Sequence, residues 1–229
     1  SQCHIMKKKI IITKDGSPSI FVDELNETYH SKNGALTESN HIYINRGLGF
    51  WLETTRKKDL KIFEMGLGTG LNAYLSYIFL MTHELSVDYL SIEKFPLTNN
   101  EIKTLKMKCT LPVAKYHDFF DQLHNLEWNS IHRTNNFSFQ KIKGDFLEMR
   151  FEQFFDVLFY DSFGYHAQPE MWDEKALAIC FNMLKPEGVW VSYCAKGQVR
   201  RDLEKVGFSV ERLEGPPGKR EMLRAIKLV

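Results

Sequence analysis

Residues 63–72, Phe-Glu-Met-Gly-Leu-Gly-Thr-Gly-Leu-Asn, constrain this chain more than any other stretch. Gly66, Gly68 and Gly70 follow a short apolar run at 61–65. They precede Leu71, Tyr74, Leu75 and Ile78, which recur at helical spacing. Strand, glycine turn and helix in that order form the element that binds ligands beyond the carboxyl ends of open α/β sheets. Glycine lets the backbone turn sharply and come close to a ligand, and a helix start offers unpaired N–H groups.

The rest of the pattern agrees with such a sheet. Further strands are predicted at 87–92, 137–142 and 155–160, the last nearly all apolar, as a strand covered on both faces should be. Trp172, Ala176, Ile179, Cys180 and Met183 make a helical stripe, which Pro186 and Gly188 end ahead of a strand at 189–193. A helix at 198–206 stops at Gly207, and 208–213 and 222–229 read as two final antiparallel strands. Strands alternating with helices predict a mainly parallel, seven-stranded sheet with helices on both faces.

Ahead of it, residues 1–55 read as a β-rich extension and 56–229 as the main domain. The extension opens with a hairpin across Lys14-Asp15-Gly16-Ser17 and has a possible strand at 42–44. Met6-Lys7-Lys8-Lys9 reads like a natural beginning, with 1–5 an added remnant.

Composition excludes several classes. Lys and Arg number 30 against 29 Asp and Glu, a net charge of +1, so a polyanionic partner would have to be held by local basic patches. The longest apolar stretch, 73–81, is far short of the about 20 residues that span a bilayer, and no apolar leader opens the chain. The cysteines are scattered without metal-ligand spacing, so no metal site is expected and a reducing cytoplasm fits. The interval 103–136 is long for one crossover and holds His117, His124 and His132. A helical elaboration with surface histidines is the expected reading.

Spacing also separates ligand classes. After Gly66 and Gly68, a dinucleotide fingerprint needs glycine where Leu71 stands, which weakens a nicotinamide dehydrogenase. Glu93 closes the second strand of the sheet, a place from which a carboxylate can accept both ribose hydroxyls of an adenosine.

The order E-x-G-x-G-x-G, followed by an acid at the end of the next strand, resembles the class I S-adenosylmethionine-dependent methyltransferases. That resemblance implies a Rossmann-like fold with S-adenosylmethionine as cofactor. It puts Glu64, Gly66, Gly68 and Gly70 along the cofactor, Glu93 on its ribose, and Asp145, in Gly144-Asp145-Phe146, on its adenine amino group.

More specific phrases are Gly34-Ala35-Leu36-Thr37-Glu38-Ser39, Gly68-Thr69-Gly70-Leu71-Asn72 and Ser91-Ile92-Glu93-Lys94-Phe95-Pro96-Leu97-Thr98. With them go Tyr160-Asp161-Ser162-Phe163, running on to Pro169-Glu170-Met171-Trp172, then Gln198-Val199-Arg200-Arg201-Asp202-Leu203 and Gly218-Lys219-Arg220-Glu221-Met222-Leu223. Together they resemble the methyltransferase half of the bifunctional family that makes 5-methylaminomethyl-2-thiouridine in tRNA. No counterpart of that family's flavin-dependent half follows, so the expectation is a stand-alone methyltransferase whose aminomethyl substrate comes from a separate enzyme. One departure stands out: the family's Gly-Phe-Ala-Pro after the fourth-strand Asp is here Ser162-Phe163-Gly164-Tyr165.

The implied reaction moves a methyl from sulfonium to a primary amine on a wobble uridine. An alkylamine resembling lysine, with a pKa of about 10.4, must lose a proton first. Asp161, ending the fourth strand, is the candidate proton acceptor. Phe163 and Tyr165 are candidates to stack on a flipped base, whereas Trp172 opens an apolar stripe and is expected in the core. Of the basic pairs, Lys219 and Arg220 on the loop after Pro216-Pro217 are the expected phosphate contacts. Glu38 is placed at the substrate pocket by its family phrase alone. Two other readings stay open: a small-molecule amine N-methyltransferase, and a non-catalytic RNA-binding module on the same fold.

Overall fold

Asp15 and Gly16 turn the chain back on itself, pairing β1 (Lys8–Ile12) with β2 (Pro18–Val22), and the short β3 (Glu27–Thr28) completes a three-stranded antiparallel sheet. The computed structural model describes residues 6–134 and 136–229; the expectation for 1–5 lies outside the described residues. The Asp15 carboxylate also anchors the first helix. Its Oδ2 accepts the Thr37 N–H at 2.9 Å and the Thr37 hydroxyl at 2.8 Å, tying the turn to the start of α1 (Ala35–Ser39). Burial raises this carboxyl, but its Ser17 and Thr37 donors outweigh that and hold it at about 2.

Residues 42–44 are not a strand. They lie in a π-helical stretch, Asn40–Gly49, that runs straight from α1 into α2 (Phe50–Thr55). Strand propensity here gives way to packing. Ile42, Tyr43 and Ile44 are all buried, and the Tyr43 ring meets Phe159 edge-on at 5.4 Å. Gly47 brings the helix close to the sheet, since a Cβ there would stand 3.0 Å from Val191 Cγ2. The stretch expected to be β-rich is therefore half helical.

The main sheet is built from β4 (Asp59–Met65), α3 (Leu71–His83), β5 (Ser86–Glu93), α4 (Asn99–Leu105), α5 (His117–Asn125), β6 (Ile131–Arg133), β7 (Phe137–Lys143), β8 (Phe155–Tyr160), α6 (Glu174–Met183), β9 (Leu184–Ser192), α7 (Gly197–Val206), β10 (Ser209–Glu214) and β11 (Glu221–Ile226). Strand order is β10-β11-β9-β8-β4-β5-β7-β6. The five inner strands β9, β8, β4, β5 and β7 are parallel, while β10, β11 and β6 are antiparallel to their neighbours. Among the described residues the sheet thus has eight strands rather than seven. The extra one, β6, is three residues long and half exposed, too short to leave a periodic signal.

All six residues of β8 are buried. Val157 and Phe159 face a cluster containing Leu71, Tyr74 and Trp51; Leu158 and Tyr160 face one containing Trp172, Leu177 and Leu203. Trp172 is core, as expected. Because the chain leaves β4 toward β5 and β7 and later returns to lay β8 on the other side of β4, the order reverses between β4 and β8. Their carboxyl ends open a crevice there, where such sheets hold ligands.

Candidate active site

The crevice is a cavity of about 360 Å³, within the size range of small-ligand sites. Its floor is the glycine loop. Gly66, Gly68 and Gly70 all have positive φ, at 95°, 54° and 84°. A Cβ on Gly66 would stand 2.8 Å from the Asp161 carbonyl oxygen, so this glycine lets the loop lie against the end of β8. Gly66 N–H donates to the Ile92 carbonyl, and Asp161 N–H to the Met65 carbonyl. The ends of three strands are stitched together around one opening.

The carboxylates are arranged by depth. Glu93, ending β5, accepts the Gly68 N–H at 2.9 Å and the Phe95 N–H at 3.3 Å, and its side chain lines the cavity. Burial raises this carboxyl, against the pull of those donors and of Lys8. Asp145 lines the far wall, with Oδ1 accepting the Leu147 N–H and Oδ2 paired to Lys94 at 3.0 Å. Burial pushes Asp145 up, but those two partners outweigh it and hold the carboxyl below its usual range.

Asp161 and Glu38 stand at the other end. Asp161 Oδ2 accepts from Asn72 Nδ2 at 3.2 Å. Burial, then the Glu38 charge, lift Asp161 to about 7 against the Tyr43 hydroxyl, Lys219 and Asn72. Glu38 is 3% exposed, with Oε1 accepting the Ser31 N–H and Oε2 paired to Lys219 at 2.9 Å.

Of the expected site residues, Gly66, Gly68, Glu93, Asp145, Asp161, Glu38, Phe163 and Lys219 line the cavity. Four do not. Glu64 is wholly buried beneath the loop, where it accepts from Ser91 Oγ at 2.8 Å and burial drives its carboxyl well up. A Cβ on Gly70 would meet Leu123 and His124 of α5, so this glycine faces helix rather than ligand. Tyr165 lies under Lys196, whose Nζ stands 4.0 Å from its ring centroid. Arg220 is exposed away from the cavity. Lys219 does not reach outward as a phosphate contact would: its ammonium turns in, onto Glu38 and over the Tyr193 ring at 4.4 Å.

Other lining residues carry no sequence signal. Glu27 and Tyr29 reach the cavity from the N-terminal sheet, and Tyr29 packs edge-on against Phe163 at 5.4 Å. Lys8 on β1 pairs with Glu101 on α4 at 3.1 Å, holding that sheet over the opening.

The histidines of the 103–136 interval are half-buried, not surface groups. His124 serves the loop from behind, with Nε2 2.8 Å from the Thr69 carbonyl oxygen and its own carbonyl accepting from Lys141 Nζ at 2.9 Å. Burial depresses its imidazole to about 4 despite the Thr69 carbonyl, so at neutral pH it is an uncharged donor. His124→Ala should weaken cofactor binding by about 1 kcal/mol, roughly fivefold. The expected kinetic signature is a raised cofactor KM with kcat within about twofold.

A parallel sheet with a glycine loop after β4, an acid after β5 and a second acid after β7 is the architecture of a class I methyltransferase. The chain belongs to the S-adenosyl-L-methionine-dependent methyltransferases: the family model of that description matches residues 103–228. The chain is 27% identical over 221 residues to the tRNA 5-methylaminomethyl-2-thiouridine biosynthesis bifunctional protein MnmC of Marinomonas sp., covering 91% of this chain and 32% of that protein. The chain thus spans about a third of the length of the curated relatives it matches. The crystal structure of MNMC2 from Aquifex aeolicus superimposes with a TM-score of 0.80 at 25% identity, covering 97% of this chain and 71% of that one. Spermidine synthase from Thermotoga maritima shares the fold, with a TM-score of 0.60 at 15% identity over 99% of this chain and 70% of its own.

S-adenosylmethionine is the family's cofactor, and the donor set suits it. Glu93 keeps lone pairs for two hydroxyls beyond its two backbone donors, Asp145 offers an acceptor, and Leu67, Ile92 and Phe146 give apolar walls to a flat base. The loop itself needs glycine beside the ligand, since a Cβ on Gly68 would press on the Tyr29 ring at 3.3 Å. Among the described residues no group of three His, Cys, Asp or Glu is placed to hold a metal ion, and no helix is long and apolar enough to cross a membrane.

Proposed function

We propose that this chain methylates the primary amine of a 5-aminomethyl group on a tRNA wobble uridine, giving 5-methylaminomethyluridine. The observation that carries this reading is Asp161, a half-buried carboxylate lifted to about 7, sharing one cavity with the ribose-type acid Glu93. Similarity over most of the chain to proteins named for 5-methylaminomethyl-2-thiouridine biosynthesis supports the substrate.

When bound, S-adenosylmethionine supplies a methyl already activated on sulfonium sulfur. The protein's share is then alignment and proton removal. In this reading Glu93 accepts from both ribose hydroxyls and Asp145 from the adenine amino group. Asp161 orients the acceptor amine and takes its proton, and Asn72 holds the Asp161 carboxylate in place. Phe163, braced by Tyr29, flanks the base that enters. The aminomethyl group has to be made beforehand by a separate activity, and a cytoplasmic location suits a tRNA substrate.

The test is incubation with labelled S-adenosylmethionine and tRNA carrying 5-aminomethyluridine, followed by nucleoside analysis. Label should appear in 5-methylaminomethyluridine at the wobble position. Label in any other nucleoside overturns the assignment.

A further inference from the structure

Asp161 is not the only carboxylate that the acceptor end of the cavity offers. Glu27 arrives from β3, on the antiparallel sheet that covers the opening, and lines the same cavity. Among the described residues its carboxylate accepts no hydrogen bond and makes no ion pair, although it is only half exposed. Burial raises this carboxyl, with the nearby charges of Lys219 and His166 pulling the other way. Lys219 is already committed to Glu38 at 2.9 Å. With no donor committed to it, this cavity-lining carboxylate has its lone pairs free for an incoming cation.

The place opposite Glu27 is shaped for its carboxylate. A Cβ built on Gly164 would stand 2.6 Å from Glu27 Oε1, closer than such atoms approach. Gly164 is three residues past Asp161, in the loop where this chain departs from the Gly-Phe-Ala-Pro of its family. The position that carries alanine in that pattern is glycine here, and the missing methyl is the room that Glu27 fills.

We infer that Glu27 is an acceptor-binding residue: its carboxylate, admitted by Gly164, receives the protonated amine of the substrate in the cavity it shares with Asp161 and selects a cationic acceptor over a neutral one. This rests on the proposed amine acceptor. The residues facing Glu27 from the elements around it, Lys219, His166 and Gly164, leave the acidic side chain itself as the group available to an ammonium.

The experiment measures binding of two RNA oligonucleotides by the enzyme with S-adenosylhomocysteine present. One carries 5-aminomethyluridine and the other 5-hydroxymethyluridine. The wild type should prefer the amine by roughly ten- to a hundred-fold, the range of a charge-assisted hydrogen bond. Glu27→Gln should bring the two to within about threefold of each other, leaving S-adenosylhomocysteine affinity unchanged. Gly164→Ala should do the same, because the added methyl meets only the end of a flexible side chain and moves it aside. The double variant should lose no more than either single one. An undiminished preference for the amine in Glu27→Gln overturns the inference. Failure of the wild type itself to methylate the aminomethyl RNA would instead overturn the proposed function, so the two failures are told apart.

Discussion

Asp161→Asn is expected to lower methyl transfer by about 10²–10⁴-fold, the range for loss of a positioned proton acceptor. Affinity for S-adenosylmethionine should stay within about twofold. The asparagine keeps the shape and the backbone contacts that join the end of β8 to the glycine loop, so the cofactor end is left alone. What disappears is the basic oxygen. With its carboxyl lifted to about 7, the wild-type Asp161 is a far better base than an ordinary aspartate and is still about half ionised near neutrality.

The same group sets the sign of the pH dependence. A base acts when deprotonated, so kcat/KM should climb with pH through a limb centred near 7, falling about tenfold per unit below it. Burial sets most of that lift and the Glu38 charge adds to it, while Tyr43, Lys219 and Asn72 oppose it. Glu38→Gln removes a like charge and frees Lys219, and both changes favour the ionised form. Its limb should therefore move to lower pH. Lys219→Met should move it to higher pH. Asp161→Asn should abolish the limb near 7 and leave only the rise due to the amine itself, whose reference pKa is about 10.4. A wild-type limb near 4, or one unmoved in Asp161→Asn, would remove Asp161 from the chemistry.

The parts of this site that a sequence can show are those made by neighbours along the chain. The glycine loop, Glu93 and Asp161 each sit at the end of a strand whose apolar run marks it, and the topology carries all three ends to one place. Glu64 shows where that reasoning stops. It lies one residue before the end of β4, next to Met65, and successive side chains of a strand point to opposite faces. Met65 lines the cavity and Glu64 does not; which of the two faces the ligand is decided by the layers packed on the sheet, not by the acid's place in a motif. Gly70 has the conformation of a loop glycine, yet the space its missing side chain leaves is taken by α5, an element more than forty residues further on.

Residues that line the cavity or brace its loop from distant elements have no local mark at all. Glu27 sits in a two-residue strand, and His124 on a helix whose amphipathic pattern accounts for Phe119, Phe120 and Leu123 but not for it. The run Ile42-Tyr43-Ile44 misleads for a related reason. β-branched and aromatic residues favour strands on a half-buried surface, but this run is covered on all sides and winds as a π-helix against β8 and β9. Lys219, on a loop beside Arg220, has the local look of a phosphate contact. The acid that turns it inward, Glu38, is 181 residues away.

Glu93→Ala should weaken S-adenosylmethionine binding by roughly a hundred-fold. Two effects add. The first is loss of an ionised acceptor for two ribose hydroxyls, where each hydrogen bond to a charged group contributes about 1.5–3 kcal/mol. The second is loss of the brace on the loop, since Glu93 Oε1 takes the Gly68 N–H at 2.9 Å and Oε2 the Phe95 N–H at 3.3 Å. Glu93→Gln is the milder change: its single amide oxygen can still take the Gly68 N–H and one sugar hydroxyl, while the charge and the second acceptor oxygen are gone, so its loss should be closer to tenfold. Glu64→Gln is the control, the same substitution at an acid one strand away but outside the cavity, and should leave cofactor affinity within about threefold. S-adenosylhomocysteine, which has the same ribose and no sulfonium, should follow the same order in calorimetric titrations. If Glu93→Ala bound both compounds as tightly as the wild type, the sugar would rest elsewhere. If Glu64→Gln lost as much as Glu93→Ala, the buried acid beneath the loop would be what shapes the cradle.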